Sequence, residues 1–141
     1  MCSFPAAGQV RAATILGAMG APVSAFHSHK ALRRHLGWSI EEERSGTSVQ
    51  RERLSRSGNR HARRALRIWA WCLVSPKLPW APFRAYYERL LAPPSSKRRA
   101  VALGHLSSKL ITVLWHCMTN HQPYDAQRLA TDMHLPLQAT G

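Results

Sequence analysis

Apolar residues recur at helical spacing in several separate stretches, and no stretch alternates apolar and polar positions strongly. Gln9 to Met19 has helical composition. Gly20-Ala21-Pro22 ends it, since glycine supplies a C-terminal cap and proline cannot continue a helix. Ser28 predicts the N-cap of a short second helix running to Leu36, with Gly37 after it. Helix, glycine turn, helix predicts a small helical hairpin over 4–37. Trp38 to Gly58 shows no clear period and reads as a long loop or an irregular hairpin, rich in serine and arginine. Asn59, a good N-cap, opens the most informative helix, which runs to Ser75. At 100° per residue, Arg60, Arg63, Arg64 and Arg67 share one face. Ala62, Ala65, Leu66, Trp69, Cys72 and Leu73 share the opposite one.

Five prolines, at 76, 79, 82, 93 and 94, bracket a short element from Phe83 to Leu91. Lys97 to His116 predicts a long helix, with Val101, Leu103, Leu106, Leu110, Val113, Leu114 and Cys117 on its core face. Pro123 ends the regular part, and residues 126–141 read as a loose tail. The pattern predicts a mainly α fold. It has a helix-hairpin-helix-like N-terminal part, an irregular Ser/Arg-rich loop over 38–58 and a small helical bundle over 59–120. One domain spans 1–125, without internal repeats.

Composition narrows the partner. A length of 141 residues fits one domain, and 45% hydrophobic residues suffice for a packed core. Twenty basic residues against seven acidic give a net charge of +13. With a pI near 11.2, the expected partner is polyanionic, nucleic acid ahead of an anionic membrane surface. No segment predicts a membrane span, because Ala12 to Val23 is short and broken by Gly17, Gly20 and Pro22. The same run after Arg11 superficially mimics a signal peptide, but its glycines weaken it and it reads as an amphipathic helix. Cys2, Cys72 and Cys117 are odd in number and scattered, which argues for a reducing, cytoplasmic setting.

From 44 to 67 the chain carries eight arginines, no lysine and one acid, Glu52. The eight are Arg44, Arg51, Arg53, Arg56, Arg60, Arg63, Arg64 and Arg67. A guanidinium pairs two-pronged with phosphate and keeps its charge when desolvated, so the set points to close phosphate contact. A solvated basic face accounts for the composition equally well. Ser45 lies between Arg44 and Gly46. A serine beside arginines can attack a phosphate, since cations stabilise the charge building on the phosphoryl oxygens. Gly46 would let a DNA backbone come close. Serine still needs a base or metal to activate it, and Ser48, Ser55 and Ser57 meet the same bare standard. Histidine pairs such as His27 with His29, or His116-Cys117 with His121, lack the spacing of a structural metal site. The acids at 41–43, 52, 88, 125 and 132 do not compose a metal-binding nuclease centre, so no cofactor is expected in this chain. Trp69, Trp71, Trp80 and Trp115 read as core or groove-lining residues rather than stacking platforms.

Several segments taken in order resemble one family. FPAAGQVRAATILGAMG resembles a helix-hairpin-helix opening of proline, then glycine-x-glycine, then an Ala-Ala-Thr helix ending in glycine. Phe26, Leu32, Leu36 and Gly37 fit the helix that follows. RSGTSVQRERLSRSGNRHARRAL resembles a signature of Ser-Gly-x-Ser, then Ser-Lys-x-Gly-Asn, then Arg-x-x-Leu. FRAYYERL, KRRAVALGHLSSKL and Gln122-Pro123-Tyr124-Asp125 complete the order. Together, over roughly 4–125, they resemble the C-terminal, serine-bearing domain of the insertion-sequence transposases of the IS one-ten / one-sixteen group. The departures are Ala6 for the first glycine, Ile40 for a proline, the acids Glu41 to Glu43, Arg56 for lysine, and Ser108-Lys109 for Arg-Lys.

The resemblance implies that Ser45 is the nucleophile that joins covalently to DNA in transposition. It implies a RuvC-like N-terminal half with four acids and bound divalent metal such as magnesium. It implies DNA, a guide RNA of the element, and full-length transposase or further copies of the chain as partners, in the bacterial nucleoid. The chain begins almost where the serine-bearing domain begins. The expectation is therefore a truncated transposase that binds nucleic acid but does not cut it alone. The alternative is a stand-alone basic DNA- or RNA-binding module without catalysis.

Overall fold

Residues 3–46, 49–54, 57–77 and 81–132 are described by the structure, a computed structural model. Six α-helices and one two-stranded hairpin make up these residues: α1 (Gln9–Met19), α2 (His29–His35), β1 (Ile40–Ser45), β2 (Val49–Leu54), α3 (Arg60–Leu73), α4 (Ala81–Leu91), α5 (Arg99–Thr119) and α6 (Ala126–Asp132). The fold is mainly α, as the apolar spacing predicts. The caps fall where the side chains suggest. Gly20 closes α1 with φ 65°. Ser28 Oγ accepts from the Ala31 amide, and Asn59 Oδ1 accepts from the amides of His61 and Ala62.

The long helix α5 is the centre. Its Leu106, Leu110, Ile111 and Leu114 are fully buried, with α2, α3 and α4 packed around it. Helix α1 lies mainly on α3, and α2 on α5, so each is held chiefly by the bundle. His35 Nε2 meets the Ala18 carbonyl at 3.0 Å and links α2 to α1. Trp69 of α3 is fully buried and sets the opening segment in place. Its indole N–H donates to the Pro5 carbonyl at 2.8 Å, and Phe4 meets it edge-on at 5.7 Å. Phe4 also contacts Tyr124, which stacks on Phe83 at 5.7 Å. Thus the two ends of the described chain meet over one aromatic cluster.

The opening turn bears directly on the Ala6 departure. Ala6 adopts φ 53° and Gly8 φ 65°, so both positions where the resembling motif has glycine are left-handed. An alanine there costs about 1–2 kcal/mol. Arg11 holds it by donating from Nη1 to the Ala6 carbonyl at 2.7 Å.

Two expectations change. Of the long loop and the irregular hairpin that 38–58 allowed, the structure has the hairpin, which corrects the loop reading. Strands β1 and β2 pair antiparallel from Ile40↔Leu54 to Ser45↔Val49. Hydropathy hid this, because the strands carry charge where alternation would show apolar residues. The register sets Glu41 opposite Arg53 and Glu43 opposite Arg51, but also Glu42 opposite Glu52. The second correction concerns the tail. Residues 126–132 form α6, with Leu129 and Ala130 buried. Asp125 Oδ1 caps it by accepting from the amides of Gln127 and Arg128. Residues 133–141 of the expected tail lie outside the described residues.

The hairpin is fastened to the bundle at its base. Gly37 (φ 78°) and Gly58 (φ 96°) meet backbone to backbone. A β-carbon on Gly58 would collide with Gly37 Cα and sit 2.6 Å from its nitrogen. One on Gly37 would sit 2.7 Å from the Ser57 carbonyl oxygen. Next to this crossing Trp38 is buried, and Ser108 Oγ of α5 donates to its carbonyl at 3.2 Å.

Gly58→Ala should therefore lower stability by at least about 3 kcal/mol in urea unfolding, combining a positive φ with a backbone collision. Gly46→Ala, at φ 42° with open space beside it, should cost only about 1 kcal/mol. On α5, Ser108→Ala should cost about 1–2 kcal/mol by orphaning a buried carbonyl. The adjacent Ser107 hydroxyl is buried with no hydrogen-bond partner among the described residues, so Ser107→Ala should change stability by less than about 0.5 kcal/mol or raise it. The Tyr124 phenol is pushed up to about 12 by burial, then by the charges of Asp125 and Cys117. Its folded form keeps a proton that the unfolded form releases near 10, so its stabilising contribution is lost as pH rises from 10 through 12. Tyr124→Phe should flatten that alkaline loss without abolishing it, because burial also pushes up Cys117 and Tyr86.

Candidate nucleic-acid interface

Helix α3 builds the strongest basic surface from a simple pattern. Its apolar side is locked into the core by Ala62, Leu66, Trp69, Ala70 and Leu73. Its other side carries Arg60, Arg64 and Arg67, all exposed, with Arg63 half-buried beside them. No acid occurs anywhere on α3. The three exposed arginines follow one another at spacings of four and three, a single ridge advancing roughly one turn per step. Because the opposite face is fixed, the ridge is a rigid row of guanidinium groups. Trp71 stands four residues beyond Arg67 on the same ridge and is 57% exposed. The sequence pattern grouped it with core and groove residues; its angular position with the arginines was the signal that separates it from buried Trp69.

The remaining arginines fall elsewhere. Arg44, Arg51 and Arg53 belong to the hairpin, where register sets Arg51 against Glu43, Arg53 against Glu41 and Arg44 against Gln50. The paired strands carry four acids (Glu41, Glu42, Glu43, Glu52) against these three arginines, so the hairpin is close to neutral. Arg56 lies outside the described residues, as do Ser48 and Ser55. The described arginines of the cluster thus divide between a basic helix face and a ribbon of mixed charge.

Ser45 is the last residue of β1, opposite Val49, at the tip of the hairpin. Five rungs separate it from the base pair Ile40↔Leu54, a distance of about 17 Å along the ribbon. Gly46 follows it with φ 42° and is exposed. A β-carbon on Gly46 would meet nothing within 4 Å.

Residues for a metal do not converge. Among the described residues no group of three or more His, Cys, Asp or Glu could hold an ion. Asp125 is used as the cap of α6, and Glu88 pairs with Arg84 at 2.8 Å. The rings of His29 and His116 approach to 6.0 Å across α2 and α5, a pairing the spacing did not suggest. Burial holds His29 below the usual imidazole range, followed by the cations Arg33, His116, Lys30 and Lys109. Such a crowd of positive groups disfavours a bound cation. The described residues around His29 and His116 therefore do not form a divalent-metal site. Among the described residues, no helix is long and apolar enough to cross a membrane.

The opening turn, the first two helices, the hairpin, α3 and most of α4 fall within one family match. Residues 1–88 match the family model described as the transposase IS116/IS110/IS902 family. No curated protein matches the chain. The match covers more than half of the sequence and holds both Ser45 and the arginine ridge, and on this ground the chain belongs to the transposase IS116/IS110/IS902 family.

Proposed function

We propose that this transposase-family chain holds DNA on the arginine ridge of α3 and presents Ser45 as the residue that joins to a DNA strand. The observation that supports this most is the ridge itself. Arg60, Arg64 and Arg67 stand exposed on a helix face free of acids, and the reverse face is locked in the core. Guanidinium groups carried on a fixed helix backbone with no acid on the same helix suit the repeated phosphates of a nucleic-acid backbone.

The role of Ser45 rests on the family signature and on its place at the tip. In the proposed step its Oγ forms a bond to a scissile phosphorus while the bond from phosphorus to one strand-end oxygen breaks. The strand end leaves as a hydroxyl, and the serine proton passes to a base. The described residues of this chain assemble no carboxylate cage, so we place the activating groups in an acid-bearing, metal-holding RuvC-like domain outside the sequence studied. On this reading the chain alone binds DNA without cutting it. A guide RNA of the element and full-length transposase, or further copies of the chain, would join it at the target.

Binding is tested by fluorescence anisotropy of a labelled DNA duplex over a salt series. Log affinity should fall linearly with log salt, by about 0.9 per phosphate contact. Replacing Arg60, Arg64 and Arg67 together by Ala should weaken binding to all sequences and reduce the slope by about 3. Ser45→Ala should leave affinity and slope unchanged. With an acid-bearing partner domain added, a denaturation-resistant protein–DNA adduct should form with the parent chain and with Ser57→Ala, but not with Ser45→Ala. Unchanged affinity and slope in the triple variant would remove the ridge from the interface. Magnesium-dependent nicking by the chain alone, lost in Ser45→Ala, would refute the need for a partner.

A further inference from the structure

We propose that Trp71 and the cavity beside it take an unpaired base of the nucleic acid whose backbone lies on the arginine ridge, an inference that rests on the reading of α3 above. Arg60, Arg64, Arg67 and Trp71 follow a 4-3-4 spacing and fall within about 60° of arc on one helix face. Trp71 advances about 6 Å along the axis beyond Arg67, a little over one helical turn. A strand tracking the arginines would therefore meet the indole next.

Trp71 is not needed by the core. Trp69, two residues earlier, is fully buried and hydrogen-bonded, whereas Trp71 is 57% exposed. It lines a cavity of about 630 Å³ together with Tyr87, Leu91, Arg84, Glu88 and Arg99. That volume lies in the ordinary range for small-ligand pockets, about 300–1,000 Å³. Its chemistry divides as a nucleotide does. Trp71, Tyr87 and Leu91 give an aromatic and apolar wall for a base face. Glu88 and Arg84, paired at 2.8 Å, offer acceptor and donor atoms to a base edge. Arg99 and Arg67 supply cations for the flanking phosphates.

Two features select an unpaired base rather than a duplex or a protein. A base inside a duplex is already stacked on both faces, so only a flipped or single-stranded base can lie on an exposed indole. The approach is also strongly cationic. Arg84 pairs with Glu88, so Arg99 on the lining and Arg67, one turn before Trp71 on α3, give the approach its net positive charge, which complements a polyanion.

The test uses the full chain and three fluorescein-labelled probes of one sequence: a single strand, a blunt duplex, and a duplex with one unpaired nucleotide. Trp71→Ala should weaken binding to the single strand and to the bulged duplex by about tenfold, with blunt-duplex affinity and the salt slope unchanged. Trp71→Phe should restore most of the loss. A 2-aminopurine at the unpaired position should be quenched on binding to the parent chain and not to Trp71→Ala. Because Trp71 is exposed, the thermal unfolding of both variants should match the parent, which separates stacking from misfolding. Equal losses on all three probes, or none, would overturn the stacking role. So would recovery of single-strand affinity in Trp71→Ala together with loss of self-association, which would make the indole a protein contact. The ridge and the indole fail separately: if the triple arginine variant loses affinity while Trp71→Ala does not, only this inference falls.

Discussion

Gly37 and Gly58 touch through their backbones, and the hairpin between them is positioned by that contact. Both have positive φ, and neither tolerates a β-carbon without striking the other strand of chain. The crossing brings the residue after α2 to the residue before the cap of α3. It therefore joins the two helices that flank the hairpin into one frame. Trp38, buried beside the crossing, and Ser108, which holds its carbonyl from α5, complete the fastening. Glycine is required here by close approach as well as by dihedral angle, a stronger constraint than a turn imposes.

Charge then separates the two surfaces this frame carries. In sequence the eight arginines look like one cluster. The register sets two of the hairpin's arginines opposite acids, and its four acids and three arginines leave it without net positive charge. Helix α3 carries four arginines and no acid. The acids Glu41 to Glu43, which departed from the more basic family pattern, are the residues that produce this division.

Much of the helical fold was legible in the residues. Ser28, Asn59 and Gly20 mark helix ends because their side chains or backbone freedom satisfy orphan groups locally, and such local chemistry is visible in sequence. The α3 face was legible for the same reason: four arginines and six apolar residues repeat at one period. The hairpin was legible only as one of two readings of 38–58, because its strands are rich in charged residues and show no hydropathy alternation. Helix α6 was missed although Asp125 signals its cap, since seven residues with two buried side chains leave a weak periodic trace. The Gly37–Gly58 crossing and the Ser108–Trp38 bond join residues far apart in sequence, and no local pattern encodes them. Ala6 lies between these cases. The resembling motif marks its place as a glycine position, and the backbone there is indeed left-handed.

The geometry also assigns different mechanical demands to the two surfaces. The ridge needs only the rigidity of a helix packed on its core, and Trp69 with its neighbours supplies it. A nucleophile at Ser45 demands more. It stands about 17 Å beyond its fastening, so a tilt of about 10° at the base would move it by about 3 Å. Misplacement of a reacting group by about 1 Å can cost a hundredfold in rate. Precision at the tip must therefore come from the base or from a partner that grips the tip during reaction. The base gives a backbone crossing, a buried tryptophan and one hydrogen bond from α5, which limit tilt without contacting the tip. On the proposed reading, the domain that supplies the activating groups would also seat the tip, α3 would set where the nucleic acid lies, and assembly would set when Ser45 reaches it.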